Sequence, residues 1–189
     1  MNEFSQTSDE ELVKIFRAGD EKAFNALYAR YYQKLFKLIY YYVSDTDLVE
    51  DVLHNVFIRV FRHVHTFNPQ KSFSAWIYQI AVNCSKNELK KRRRNDDLVR
   101  QAALVISEKD EAEPSPEDII LTRHDIQAFS EAVNSLKDRF RDVFLLRFDQ
   151  KMKYSDIAAV LKCSERTAKW RMKRAVENIA LFLSDRGII

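Results

Sequence analysis

The chain has 189 residues, 46% of them apolar, enough material for one medium core or two small ones. Only two glycines and three prolines punctuate it, which argues against strands joined by tight turns and for an all-α protein. A formal net charge of +3 hides strong segregation: residues 67–94 carry 7 basic and 1 acidic side chains, 95–118 carry 2 and 8, and 119–189 carry 14 and 9. Two basic blocks around an acidic one point to two surfaces facing a polyanion, although ordinary solvated surface charge gives the same count. The sequence has neither a basic-then-apolar leader nor an apolar run of ~18 residues, so export and membrane insertion are not expected and a cytoplasmic protein is.

Ser8-Asp9-Glu10-Glu11 has the form of a capping box ahead of Leu12, Ile15 and Phe16, and Ala18-Gly19-Asp20 closes that helix and opens the next. The second helix is predicted to run to about Val43, with Phe24, Leu27, Tyr28, Tyr31, Leu35, Leu38, Ile39 and Tyr42 on one buried stripe. Ser44-Asp45 caps a third, to about Val64, burying Val49, Val52, Leu53, Val56, Phe57, Val60 and Phe61. A loop through Asn68-Pro69-Gln70 precedes a fourth helix, predicted from near Ser72 to the run Lys90 to Arg94. Residues 95–118 lose aromatics and end in EAEPSPED, the composition of a linker. Three further helical stretches follow, at about 119–134, about 136–149 and as a close pair beyond.

In that pair Ser155 is expected to cap a helix carrying Ile157, Ala158 and Leu161, and Ser164 a second one after the turn Lys162-Cys163-Ser164. The spacing is that of a helix-turn-helix, a geometry also found in plain helical bundles. On the second helix Ala168, Met172, Ala175 and Ile179 share the inward face, which turns Trp170 outward near Arg166, Lys173 and Arg174. Such a tryptophan either folds back over a neighbour and covers arginine stems, or waits for a partner. Cys84 and Cys163 lie far apart with no CxxC pairing, so both read as core fillers rather than a disulfide or zinc pair. His54 stands three residues from Asp51, but no third or fourth ligand follows, and neither metal nor cofactor is expected.

The words DEELVKIFRAGDEKAFNALYARYY, LVEDVLHNVFIRVF and FSAWIYQIAVNCSKNELKKRRR, followed by SLKDRFRDVFLLRF, YSDIAAVLKCSERTAK and RMKRA, resemble the sigma-70 superfamily, specifically its small extracytoplasmic-function sigma factors. The resemblance implies a region 2 domain over 1–94 that binds the clamp helices of the polymerase beta-prime subunit and melts the minus-ten element. It further implies an acidic linker over 95–118, and a region 4 domain over 119–189 that reads the minus-thirty-five element and meets the beta flap. An anti-sigma partner is common in such proteins.

Residue by residue, Asp51, His54, Asn55, Ile58 and Arg62 share one face opposite the core stripe of the third helix, an apolar centre with a polar rim. By resemblance this face contacts core RNA polymerase, although Val49 and His54-Asn55 depart from the usual Ala-Glu-Asp and Gln-Glu. Holding an opened strand needs cations for phosphates and amides or aromatics for unstacked bases. Asn68, Gln70, Lys71 and Ser72, then Trp76, Asn83, Lys86, Asn87, Arg92 and Arg93, supply that mixture and are the minus-ten candidates. Trp76 serves equally as a core residue between two helices, and cations at the end of a helix are favourable without any ligand. For the minus-thirty-five element the candidates are Ser164, Arg166, Thr167, Trp170, Arg171, Lys173 and Arg174; members of the family usually carry a small polar residue at the position of Trp170. With no nucleophile, metal cluster or glycine-rich phosphate loop, the chain reads as a promoter-specificity factor and not an enzyme. The alternatives are a helix-turn-helix regulator with an N-terminal sensing or dimerisation domain, or a helical adaptor without a DNA role.

Overall fold

The computed structural model describes residues 4–102 and 123–188, with the side chains at 93, 95–102 and 123–127 not described. All regular structure among them is helical, arranged in two compact units, Met1–Ala112 and Glu113–Ile189.

The first unit contains α1 (Asp9–Arg17), α2 (Glu21–Val43), α3 (Thr46–His63) and α4 (Phe73–Ala102). Local chemistry starts each of them. The side chains of Ser8, Asp20 and Asp45 accept from the backbone N–H groups of Glu11, Lys22 and Leu48, each cap worth about 1 kcal/mol. Gly19, at φ 103°, makes the left-handed turn between α1 and α2 that a side chain would resist. Leu12, Leu27, Leu35, Leu38, Ile39, Leu53, Phe73 and Ile77 form the fully buried centre.

Two members of the expected stripes stand at its edge instead. Tyr28 is 40% exposed although its ring packs on Phe57 at 4.4 Å and on Tyr32 at 5.5 Å. Phe61 is 49% exposed in the last turn of α3, resting on Phe16 and Phe24 at 5.3 Å each. Helix α4 also runs on to Ala102, past the cationic run at which the sequence suggested an end. A row of cations is not a stop signal, and no glycine or proline interrupts the chain until Pro114. The expected connector beyond 102, the start of the fifth helix at 119–122 and the Arg93 side chain lie outside the described residues.

The second unit contains α5 (Arg123–Ser135), α6 (Asp138–Phe144), α7 (Tyr154–Val160) and α8 (Glu165–Ser184). Beyond α6 the chain widens into a π-helical turn, Leu145–Asp149, so the expected single helix ends irregularly. Phe140, Val143, Leu145, Leu146, Ile157, Ala168, Ala175 and Ile179 form the core. Met172 is only half-buried. Ser155 is not the cap of α7: the helix starts two residues earlier than such a cap would give, at Tyr154, with Lys153 at the cap position making no side-chain bond. Its first turn takes in Tyr154, whose ring lies 4.9 Å from the Arg147 guanidinium. Ser164 does cap α8, accepting from the Thr167 N–H at 3.1 Å.

Candidate nucleic-acid and polymerase interfaces

Helix α3 turns its stripe of Val49, Val52, Leu53, Val56, Phe57 and Val60 inward, which leaves Asp51, His54, Asn55 and Arg62 exposed on the opposite side. Ile58 is half-buried among them rather than fully exposed, a low apolar spot inside a polar rim. The neighbouring Glu50 is engaged by α2, accepting from the Tyr32 hydroxyl at 2.6 Å, and that carboxylate pushes the Tyr32 phenol up.

Between α3 and α4 the chain makes a 3-10 turn, Val64–Thr66, and then a short loop. The loop has its own hydrogen bonds: Asn68 Oδ1 accepts from the Gln70 N–H at 2.9 Å, and the Asn68 carbonyl from the Lys71 N–H at 2.9 Å. Ser72 Oγ accepts from the Ala75 N–H at 3.2 Å, so Ser72 serves as the cap of α4. Asn68, Gln70 and Lys71 are exposed, while the flanking Phe67 and Phe73 are buried and pack edge to face at 5.6 Å. Trp76 is partly packed and partly exposed. It rests on Phe67 at 5.3 Å and Phe73 at 5.7 Å, yet remains half-exposed on the face of α4 that also carries Asn83 and Asn87, both exposed. Lys86 is half-buried beside that face.

Arg92 has a different occupation. Its guanidinium donates to the Val43 carbonyl at 2.9 Å and lies 3.4 Å from Asp45 Oδ2, so it ties α4 to the α2–α3 corner. A terminal carbonyl of α2 and the capping carboxylate of α3 supply a site for a cation that local sequence does not reveal.

Two residues outside the sequence-derived set hold this region in place. Arg17 Nε donates to the Val64 carbonyl at 3.0 Å, and its Nη2 donates to the carbonyls of Val64 and Phe67. Glu10 Oε1 accepts from the Phe73 N–H at 2.9 Å. Neither contact leaves a local signature, because the partners lie 47, 50 and 63 positions away. Helix α1 is itself fastened to α2. Asp9 receives the Tyr31 hydroxyl and the Arg30 guanidinium, and Arg30 also reaches the Thr7 carbonyl at 3.0 Å.

On α8, Arg166, Trp170, Lys173 and Arg174 stand exposed on one side, as the spacing indicates, whereas Arg171 lies off that face and is half-buried. Ser164 and Thr167 hold the helix N-terminus, their hydroxyls 2.8 Å apart. Glu177 partly occupies the cations, 3.0 Å from Arg174 Nη1 and 3.9 Å from Lys173 Nζ; exposed pairs of this kind yield readily to a phosphate. Trp170 is 48% exposed, with its ring edge to face with Phe140 at 5.9 Å and the Arg174 guanidinium 6.0 Å from its centre. It leans on a buried neighbour and leaves about half its surface exposed.

The family model for sigma-70 region 2 matches residues 27–95, and that for sigma-70 region 4 matches residues 126–179. The chain belongs to the extracytoplasmic-function sigma factors of the sigma-70 family. It is 31% identical to the ECF RNA polymerase sigma-E factor of Haemophilus influenzae, over 92% of this chain and 94% of that one. It is 33% identical to the RNA polymerase sigma-H factor of Pseudomonas aeruginosa, over 93% of both chains. Its fold is similar to that of CnrH, solved in complex with the cytosolic domain of CnrY (TM-score 0.71, 20% identity, 94% of this chain and 97% of that one). It is likewise similar to RpoE of Bartonella quintana in complex with the anti-sigma factor NepR (TM-score 0.70, 23% identity, 86% and 98%). A sigma factor binds core RNA polymerase and promoter DNA and has no catalytic centre, so this one is not an enzyme, and the reading as a separate helix-turn-helix regulator falls away. Among the described residues of this sigma factor no helix is long and apolar enough to cross a membrane.

Proposed function

We propose that this sigma factor divides its work between the two units: residues 1–94 dock on polymerase and open the minus-ten element, and residues 119–189 read the minus-thirty-five element. The α3 face centred on Ile58, with Asp51, His54, Asn55 and Arg62 around it, takes the clamp helices of the beta-prime subunit. The second unit meets the beta flap. The observation that carries the reading is that Asn68, Gln70 and Lys71 stand exposed in the loop, and Asn83 and Asn87 on the adjoining helix beside a half-exposed tryptophan, since amides, a cation and an aromatic suit a strand with extruded bases. On α8 the exposed Arg166, Lys173 and Arg174 divide between phosphates and base edges, and Trp170 offers an apolar edge to thymine methyls. Arg92, held at the α2–α3 corner, and the half-buried Arg171 are supporting residues in this scheme. The protein works in the cytoplasm, where polymerase is, and an anti-sigma factor holds it until released. CnrH and RpoE were each captured with a partner chain, and the similarity of fold supports that last part.

The test is assembly with core polymerase. Ile58→Glu is expected to abolish co-purification with core while far-ultraviolet dichroism shows the helices intact, because it sets a charge at the interface centre. Undiminished co-purification would remove the α3 face from the scheme. Asn68→Ala with Gln70→Ala is expected to reduce initiation from duplex promoters while leaving core binding intact.

A further inference from the structure

The loop that carries Asn68, Gln70 and Lys71 is held at both ends by one short helix. At its N-terminal end the Val64 carbonyl, which also accepts the Phe67 N–H in the 3-10 turn, and the Phe67 carbonyl both accept from Nη2 of Arg17, whose Nε donates a second time to Val64. At its C-terminal end Phe73 opens α4, and its N–H, one of the orphan donors of a helix start, is taken by the Glu10 carboxylate at 2.9 Å. Glu10 and Arg17 lie near opposite ends of the nine-residue α1, a strut that sets them about 10 Å apart along its axis. Leu12 and Val13, both fully buried, seat that strut on the core, and the bonds from Arg30 and Tyr31 to Asp9 lock it to α2. The loop's exposed amides therefore stand at a spacing set by α1, not by the loop's own short-range bonds alone.

We propose that Glu10 and Arg17 are positioning residues for base capture: through backbone contacts at the two ends of the loop they pre-organise Asn68 and Gln70 for an extruded minus-ten base. Neither side chain has to touch DNA or polymerase. This rests on the reading of the 68–72 loop as the base-binding element. A loop without the brace samples more conformations, and binding a flipped base must then order it at the cost of affinity and selectivity.

The experiment uses the full chain assembled with core polymerase and a single-stranded oligonucleotide carrying the minus-ten sequence selected from a randomised promoter library. A second oligonucleotide has one base of that element replaced, and anisotropy gives the ratio of the two affinities. Glu10→Ala and Arg17→Ala are expected to lower that ratio about tenfold, the scale of one base's discrimination, with affinity for core polymerase unchanged. Glu10→Gln, which keeps an acceptor oxygen for the Phe73 N–H, restores it. Arg17→Lys, which loses the Nε donor to Val64 and the rigid plane that holds Nη2 between the two carbonyls, does not. Should both alanine variants keep the wild-type ratio while Asn68→Ala lowers it, the brace is wrong and the loop reading survives. Should Asn68→Ala and Gln70→Ala also leave the ratio untouched, the loop does not read the base and the inference falls with it. If an alanine variant loses its helical signal, the conservative pair decides, and a wild-type ratio in both of those overturns the proposal.

Discussion

At Trp170 a single side chain joins stability to recognition. Its edge-to-face contact with Phe140 contributes about 0.5–1.5 kcal/mol beyond the area it covers. Trp170→Ser is therefore expected to destabilise the second unit by about 2 kcal/mol. It should also change the minus-thirty-five sequence selected from a random library. Trp170→Phe should recover most of the stability but less of the preference. A selected sequence that stays the same with serine would assign the residue to packing alone. Tyr31 makes a separate, pH-linked contribution. Burial, then its hydrogen bond to the Asp9 carboxylate, pushes its phenol far above the ordinary value. The folded pKa is raised above the unfolded one, so the contribution is fully present below about pH 10 and is lost as pH climbs beyond it. Thermal melts between about pH 8 and 11 should show a steeper alkaline fall for the wild type than for Tyr31→Phe, which starts lower because it lacks the bond to Asp9. Parallel curves would remove Tyr31 from the alkaline transition.

Among the elements, the α7–α8 turn carries a correctable cost. Helix α7 ends with the Cys163 N–H bonded back to the Ala158 carbonyl at 3.0 Å, and the residue between the cap and Cys163, Lys162, sits at φ 49°. This is the left-handed closing position that glycine favours, and a side chain there costs about 1–2 kcal/mol. Lys162→Gly is expected to raise the melting temperature of the second unit by about 4–8 °C without altering the exposed face of α8. Calorimetry on wild type and variant would decide it, and a lowered melting temperature would mean that Lys162 supports the turn in some other way. The same scale explains α1. Nine residues could not stay helical alone, yet buried Leu12 and Val13 and the bonds to Asp9 hold them on α2, and so give Glu10 and Arg17 fixed positions.

At the scale of the whole molecule each unit closes its own core, which makes fragments informative. A fragment of residues 113–189 is expected to stay helical and to bind duplex DNA with strong salt dependence. Lys173→Ala in that fragment should weaken binding to all sequences alike and reduce the slope of log affinity against log salt by ~1. An unchanged slope would place Lys173 away from the phosphates.

Helix starts at Ser8, Asp20, Asp45 and Ser164, the buried stripes of α2 and α3, and the outward set of Arg166, Trp170, Lys173 and Arg174 were all legible in the sequence. Caps reach two or three residues and helix faces repeat every three or four, so the necessary partners are close together in the chain. The family was legible for a related reason, since its short words keep their order and spacing. Other features were settled only by packing. Tyr28 and Phe61 belong to the right stripes but reach the rim, where the neighbouring helices no longer cover them. Ser155 was displaced as a cap by the earlier start at Tyr154, and α4 continued through a charge run that does not oppose helix. Arg92 looked like a strand contact until the carbonyl of Val43 and the carboxylate of Asp45 came within its reach. Sequence by itself determined the helices, their buried faces and the family. Tertiary structure alone decided which exposed residues remain available to a partner and which are occupied by backbone groups some fifty residues away, because a carbonyl or N–H left over at a helix end carries no mark in the side chain of its own residue.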